Sequence, residues 1–555
     1  MYRERITDVL IIGGGGAAGR AAIAASDAGA STLMVLKKRL CASGATTHKC
    51  CEMAGFNVPG CVDNGDDEEH YLDDMMQAAL GMADRRLSAI LAENVGERFN
   101  DLLSWGVTPA QENGRNVIMK GCYSNYRRTF TIKGHGEPIM QALAGQIRKR
   151  PITVMEDAFA IDLIVRDGRC RGAVVLDENN EFVVIHAGAV ILATGGASQV
   201  FLNNLNPDDV TGDGYSMAYD NGAALMNMEF MQAGIGFFHP IKSLFNTYLW
   251  AGFPELSNRN GEQFLQKYLP EGLSVQDVML EHCKHFPFSS KDISRFLEIG
   301  IQKEIEAGGG TERMCIPVSF SHFSREYIQN LSFDADLKQM WPMVLEHFEK
   351  NGVNIREDSI EITCIAQAVN GGIKIDENAM STVPGLFAAG ETAAGPHGAD
   401  RLGGNMMGTC QVFGQIAGKN AASYAAENPA RRVDVDPEML WAVALLRKKV
   451  DAAQLTLRLQ KAAQTRLFIC RTEEKLLKMQ QEAEELLSIL EQSESGSSLN
   501  RKNLELYFRI NSCLVMTRAA LNRRESRGSH YREDYPERND EQFGAPIVLR
   551  KGDTL

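Results

Sequence analysis

An α/β fold organised around a parallel sheet is what the 555-residue sequence predicts, and three segments predict it. Each is an apolar run that ends in a glycine turn: "DVLIIGGGGAAGRAAIAAS" (8–26), "GAVILATGG" (188–196) and "VPGLFAAGE" (383–391). Short apolar runs bounded by turn residues read as buried strands. Strands buried on both faces belong to parallel sheets, whose neighbours are joined through helices. A chain this long exceeds what one hydrophobic core usually holds, so more than one packed unit is expected.

The first segment is the most informative. Val9 to Ile12 form the strand, and Gly13 makes the tight turn. Gly15 lets the backbone approach a pyrophosphate, and Gly16 and Ala17 open an alanine-rich helix whose free N–H groups face the phosphates. Ala18 packs that helix on the strand. A second strand, "STLMVLKK" (31–38), completes a dinucleotide-binding unit. The acid expected at its end to accept the ribose hydroxyls is missing, and Leu36-Lys37-Lys38 stand there instead. Lys37 is compatible with a 2′-phosphate, as in NADP. The other two segments point to FAD. The stretch 160–192 reads as a β-meander, with turns at "RDGR" and "DENN", inserted before Ala193-Thr194-Gly195 closes the nucleotide domain. In the third segment Gly390 lets the backbone pass close to the cofactor, and Glu391 is placed to bond ribityl hydroxyls.

Composition narrows the class. Hydrophobic residues make up 44% and charged residues 23%, and the formal net charge of −13 disfavours nucleic acid or an anionic membrane as a partner. No run approaches the roughly 20 apolar residues of a membrane span. The N-terminus lacks a signal-peptide pattern, so a cytoplasmic protein is the simplest reading. The 12 cysteines include no CxxC pair, and neither a metal nor an iron–sulfur cluster is expected in this chain. Adjacent Cys50 and Cys51 read either as a redox pair or as two reduced thiols, the ordinary state in a cytoplasmic protein.

"GPHGADRLGGN" (395–405) sets an arginine in a turn almost bare of side chains. A guanidinium there suits a substrate carboxylate, which it grips with two parallel hydrogen bonds. The competing reading is an internal salt bridge from Arg401 to Asp400 or Glu391.

Taken with "SGATT" (43–47), "TGDGYSMAYDNGAALMNMEFMQ" (211–232), "FFHP" (237–240), "NGGIKID" (370–376) and "ESRGSHYREDYPERND" (525–540), these motifs span nearly the whole chain. The sequence resembles the fumarate reductase / succinate dehydrogenase flavoprotein family, which includes L-aspartate oxidase and the adenylylsulfate reductase flavoprotein among its relatives. The resemblance implies a Rossmann-like FAD-binding domain in two parts (1–235 and 356–425). It also implies an inserted α+β capping domain (236–355) and a C-terminal helical domain with its tail (437–555). FAD contacts are implied for Ser43, Gly44, Ala45, Thr46, Phe159, Asp213, Gly404, Asn405 and Met406, and for Arg401 itself. Gly44 stands where membrane-linked relatives carry the His that attaches FAD, so the flavin is expected to be non-covalent.

In the family, fumarate is reduced by hydride from flavin N5 and a proton from an Arg, while two His and a second Arg clamp the carboxylates. By resemblance Arg401 is the clamping Arg, His239 the first clamping His, and His397 a supporting residue just ahead of Arg401. Lys291 in "FSSKDISR" (288–295) falls at a helix start where the proton-donating Arg stands, with Arg295 as an alternative register. Gln367 replaces the second His. These departures point away from fumarate, to an activated C=C bond in another carboxylate- or carbonyl-bearing small molecule, reduced or formed by the enzyme. Two alternatives stay open: an electron-transfer flavoprotein that works with a separate iron–sulfur partner, and a catalytically silent flavin-binding protein. Leu476, Met479, Ala483, Leu486 and Leu490 form one helical stripe, read as bundle core. The charged tail 525–540 reads as surface salt bridging or a partner contact.

Overall fold

The computed structural model describes residues 2–42, 44–48, 50–51, 53–331 and 335–553. Its central sheet has seven strands, in the order Ile152–Met155, Thr32–Val35, Arg3–Ile12, Phe182–Leu192, Arg169–Leu176, Phe159–Arg166, with Leu386–Ala388 also pairing Phe182–Leu192. The pairs that join the three glycine-ended strands are parallel, and Val9 to Ile12 are almost completely buried. The meander is antiparallel, as its turns predict. Asp167 and Gly168 both take positive φ between its first two strands, the conformation that a two-residue hairpin loop requires.

The helix Gly16–Asp27 lies against the long helix Asn405–Glu427. Gly414 and Gly418 of the long helix face the Ala17 and Ala21 carbonyls with no room for a Cβ. Small residues on both helices thus let the two backbones meet, and both helix N-termini open toward the C-terminal ends of the parallel strands. That edge is where α/β sheets bind ligands.

A second sheet of five strands, in the order Ser243–Leu244, Met231–His239, Ile360–Val369, Ile316–Ser319, Glu255–Leu256, carries an aromatic core that includes Phe237, Phe245, Trp250 and Phe320. C-terminal helices at Ala452–Arg466, Glu473–Gln492 and Arg501–Asn522 pack together, and the stripe from Leu476 to Leu490 is fully buried.

The first half of the charged tail departs from the reading as surface salt bridging, whereas Arg538 and Asp540 in its second half form an exposed pair as that reading expects. Arg523, Glu525, Arg527, His530 and Arg532 are buried to within 1%. Arg523 and Arg527 donate to Glu525 at 2.6–2.8 Å, Arg523 also donates to Glu229 at 2.7 Å, and Arg532 pairs with Asp534 at 2.8 Å. The tail lies behind the 395–405 turn: Ser529 Oγ donates to the Ala399 carbonyl at 3.0 Å, and the Gly528 carbonyl accepts from Ser290 N at 2.8 Å. It is a structural strut for two loops of the site.

Candidate functional site

One elongated cavity runs along the strand ends, with about 1360 Å³ of empty space including its open mouth. Gly13, Gly15, Gly16 and Ala17 line one end, with Lys37, Phe159 and Asp213 beside them. Gly44, Ala45, Thr46, Ala193, Thr194 and Gly195 form the walls. Gly390, Glu391, Gln367, Met406 and Arg401 line the other end. Gly13 has φ +133°, and a Cβ there would overlap the Ala193 carbonyl, so only glycine lets these two strand ends converge. Ala18 is fully buried behind the wall, where a residue that packs helix on strand belongs. Ser43 lies outside the described residues.

The residues fit a flavin dinucleotide. The N-terminus of Gly16–Asp27 has no capping side chain at Gly15 and no acidic residue in its first turn; the Gly16 N–H donates to Thr46 Oγ1 at 3.2 Å, and the N–H groups that follow it are available to a pyrophosphate. Gln367 Oε1 and Asp209 Oδ1 are buried against the cavity without a protein partner, polar atoms that a ligand would satisfy. Gly404 adopts the left-handed conformation that starts the helix Asn405–Glu427, whose first turn carries Met406 into the cavity. The Asn405 Oδ1 atom accepts from Asn57 and Tyr71, which anchors that helix end from behind. Lys37 is engaged by Asp213 at 3.2 Å, Glu505 at 3.5 Å and the Thr211 hydroxyl at 2.9 Å. Neutralised in this way, it is a poor ligand for a 2′-phosphate.

Arg401 is buried, with Nε donating to Gln232 Oε1 at 3.0 Å and Nη1 to the Leu402 carbonyl at 3.1 Å. Among the described residues it has no ion pair, and Nη2 has no protein partner. The competing salt bridges do not form: the Asp400 carboxylate accepts from Ser289 Oγ at 2.7 Å, and Glu391 accepts from Val369 N at 3.0 Å. Burial pushes Asp400 up to about 6 and Glu391 up to about 7. Burial likewise lowers Arg401 from the usual guanidinium value, and it holds His397 neutral, well below the ordinary imidazole range. His397 does not line the cavity. Its Nε2 lies 3.2 Å from Thr409 Oγ1, behind the turn, as a supporting residue would.

Two expectations are corrected. His239 is not at the Arg401 end. Gln232, which holds Arg401, pairs with Ala368, next to Gln367, whereas His239 pairs with Glu361 at the opposite end of the strand. Seven residues of strand separate Gln232 from His239, about 23 Å. The four residues "AGIG" carry the histidine away along the strand, and Gly234 packs under the Phe286 ring near the site instead. Lys291 is not at a helix start either, because the helix begins four residues later, at Arg295. Lys291 is exposed and does not line the cavity; its Nζ lies 3.9 Å from the centroid of the Tyr123 ring, and its charge acts on the Asp400 carboxyl. Arg295 turns away and donates to the Ser290 carbonyl.

Sequence reasoning missed Asn206, Asp209, Cys50 and His135 as cavity residues. His135 sits in "KGHG", a histidine flanked by glycines at a turn, which was the available signal.

A glycine-rich nucleotide cradle leading to a buried cation defines a dinucleotide-dependent oxidoreductase. The chain belongs to the FAD binding domain family, whose pattern it matches over residues 8–407, and it matches the fumarate reductase flavoprotein C-terminal family over 456–553. It is 32% identical over 534 residues to a fumarate reductase (CoM/CoB) chain from Methanothermobacter marburgensis, with 90% of each chain covered. An FAD-dependent oxidoreductase of Methanocaldococcus jannaschii is 31% identical over 520 residues, again with 90% of each chain covered. Sdh1 of Mycobacterium smegmatis in complex with UQ1 superposes with a TM-score of 0.82 at 26% identity, over 100% of this chain and 93% of that one. The protein is an FAD-dependent oxidoreductase of the fumarate reductase / succinate dehydrogenase flavoprotein type. Among the described residues no helix is long and apolar enough to cross a membrane.

Proposed function

We propose that this flavoprotein reduces an activated C=C bond conjugated to a carboxylate or carbonyl, or forms that bond from its saturated counterpart. The carrying observation is Arg401, a buried guanidinium that faces the cavity with no ion pair among the described residues, Glu391 acting on it only from beyond contact distance. A buried cation without a partner is costly, and a substrate carboxylate supplies the missing charge.

Bound FAD supplies the hydride at its N5. The glycine turn 13–16, Lys37, Asp213, Glu391 and the N-terminus of Asn405–Glu427 are the groups to hold it. Gly44 faces open space and offers no side chain for a covalent link, so the flavin is held non-covalently. Arg401 orients the substrate carboxylate. Lys291 delivers the proton when the segment 236–355, which carries it, closes over the cavity as a cap. Gln367 donates a hydrogen bond to the far end of the substrate but no charge. With His239 at the other end of its strand, the described residues offer the second carboxylate of fumarate no cation besides Lys291, so a monoanionic enoate or enone acid fits better. Electrons come from a separate donor protein.

The test is anaerobic reduction of the purified flavoprotein followed by a panel of unsaturated acids. The expected result is flavin reoxidation by a mono-carboxylate at a higher rate than by fumarate. Reoxidation by none of the panel would leave a flavin-binding protein without this activity. Acid precipitation should leave the yellow colour in solution, and a coloured pellet would overturn non-covalent binding.

A further inference from the structure

Outside the Arg401 cluster, one other group of side chains on the cavity has no role in the reading above. Cys50 Sγ lies 3.6 Å from His135 Nε2, and the ligand atoms of Cys50, Cys51 and His135 all lie within 4.8 Å of one another. Cys50 and His135 line the flavin cavity, and Cys51 is buried behind them.

We propose that Cys50, Cys51 and His135 form a three-ligand site for a thiophilic divalent metal, Zn²⁺ foremost, with its fourth position open to the flavin cavity for a substrate carbonyl or carboxylate oxygen. The argument starts from geometry. With a metal–sulfur bond of about 2.3 Å and a metal–nitrogen bond of about 2.0–2.1 Å at a tetrahedral centre, sulfur and nitrogen sit about 3.5 Å apart. The Cys50–His135 separation matches that edge without any movement. The two thiols need only contract toward it.

The ligands come from two loops, 85 residues apart in sequence for Cys50 and His135, and both loops are anchored before any metal arrives. The Cys50 carbonyl accepts from Leu244 N at 2.8 Å and from Ser243 Oγ at 3.2 Å, which ties its loop to a strand of the second sheet. His135 takes φ +58° in the turn after the strand Arg127–Lys133, and the next residue is Gly136. A Cβ at Gly136 would overlap the Thr46 carbonyl, so this turn is pressed directly onto the 44–47 loop. Preformed placement of this kind is what a metal site needs and what two unrelated thiols do not require.

The donor set selects the metal. Two thiolates and an imidazole favour Zn²⁺ over Mg²⁺ or Ca²⁺, which take oxygen ligands. Three protein ligands plus one open position is the arrangement of catalytic rather than structural zinc. On binding, both thiols release their protons to solvent, and Cys51 gives up its present hydrogen bond to the Met53 carbonyl. The open position faces the same space as Arg401, so a Lewis acid there would take the carbonyl end of a substrate whose carboxylate Arg401 holds. The site itself does not depend on that substrate reading.

The test uses the FAD-loaded protein. After chelation and dialysis it is titrated with Co²⁺, whose thiolate-bound tetrahedral form absorbs to the red of the flavin, and metal content is measured per flavin. The expected result is one Co²⁺ per chain, displaced by one Zn²⁺. Binding should be lost in Cys50→Ser, Cys51→Ser and His135→Gln and kept in Cys61→Ser, with flavin content equal in all four. If a variant loses flavin as well, the parent's own stoichiometry and the displacement by Zn²⁺ still decide. No tetrahedral cobalt spectrum in the parent, cobalt retained by the triple variant, or a Cys50–Cys51 disulfide in the isolated protein would each overturn the proposal.

Discussion

Of the regions of this molecule that bury arginines, the tail and the cavity treat them in opposite ways. In the tail, Arg523, Arg527 and Arg532 are matched to Glu229, Glu525 and Asp534 by hydrogen bonds of 2.6–2.8 Å. At the cavity, Arg401 is buried with one amide and one carbonyl for hydrogen-bond partners and, among the described residues, no ion pair, the Glu391 carboxyl acting on it only from beyond contact distance. The same cost of desolvation is met internally in one place and left open in the other. A fully paired network fixes a shape, whereas a buried cation without an ion pair that faces a cavity is half of an interaction whose other half is a ligand. The two regions touch, since the tail's Ser529 donates from both its N–H and its hydroxyl to the Ala399 carbonyl of the turn that carries Arg401.

The sharpest way to break this contrast is at Arg401. Arg401→Gln should slow flavin reoxidation by the best panel substrate by about 100-fold or more, the cost of losing one partner of a buried charge pair. Flavin content should be unchanged and the melting temperature should not fall, because no internal ion pair is lost. A drop in melting temperature with the rate preserved would make Arg401 structural. Glu525→Ala should do the reverse. It strands Arg523 and Arg527 in the interior and should cost about 3–5 kcal/mol of stability, read by denaturant unfolding of the flavin-loaded protein. Equal stability would show that the tail's charges are screened by water after all.

How far the sequence carried this contrast depends on whether a residue's neighbours are close in the chain. The nucleotide cradle was legible because strand, glycine turn and helix are contiguous, and Arg401 because its turn is a single short motif. His239 was misplaced because a four-residue insertion within a strand moves a side chain along the sheet without changing its local motif. The first half of the tail was misread because alternating charge looks the same on a surface as in a closed network, and only the partner Glu229, far upstream, separates the two. The Cys50, Cys51 and His135 cluster was invisible for the same reason: it is assembled from two loops.

Glu391 tests the cavity side through pH. Burial raises its carboxyl from 4.5 to about 7, so between those values the folded apoprotein holds a proton that the unfolded chain has released. Folding stability from this group is therefore present below about 4.5 and is lost as pH rises toward 7. Buried His397 acts in the opposite direction, since its depressed value costs stability as pH falls below 6.5, so the parent profile alone is ambiguous. The difference between parent and Glu391→Gln removes that term. The variant's advantage in apoprotein melting temperature should grow from pH 4.5 to 7 and then level off. A difference that stays constant across that range would mean that the Glu391 carboxyl is ionised throughout and not desolvated.

The smallest effect is expected at Lys37, where the contrast between paired and unpaired cations applies inside the cavity itself. Lys37 lines the nucleotide end, yet Asp213 and Glu505 already hold its ammonium at 3.2 and 3.5 Å. Its attraction for a phosphate is largely spent on those carboxylates, so Lys37→Ala should weaken FAD binding by less than about tenfold, or about 1.4 kcal/mol. NADPH should compete with FAD no better in the parent than in the variant. A loss of affinity a hundredfold or larger would show that the lysine turns from its carboxylates to the cofactor on binding. In that case pairing within the cavity would not mark a group as structural, and the inference from Arg401 would rest on its lack of an ion pair alone.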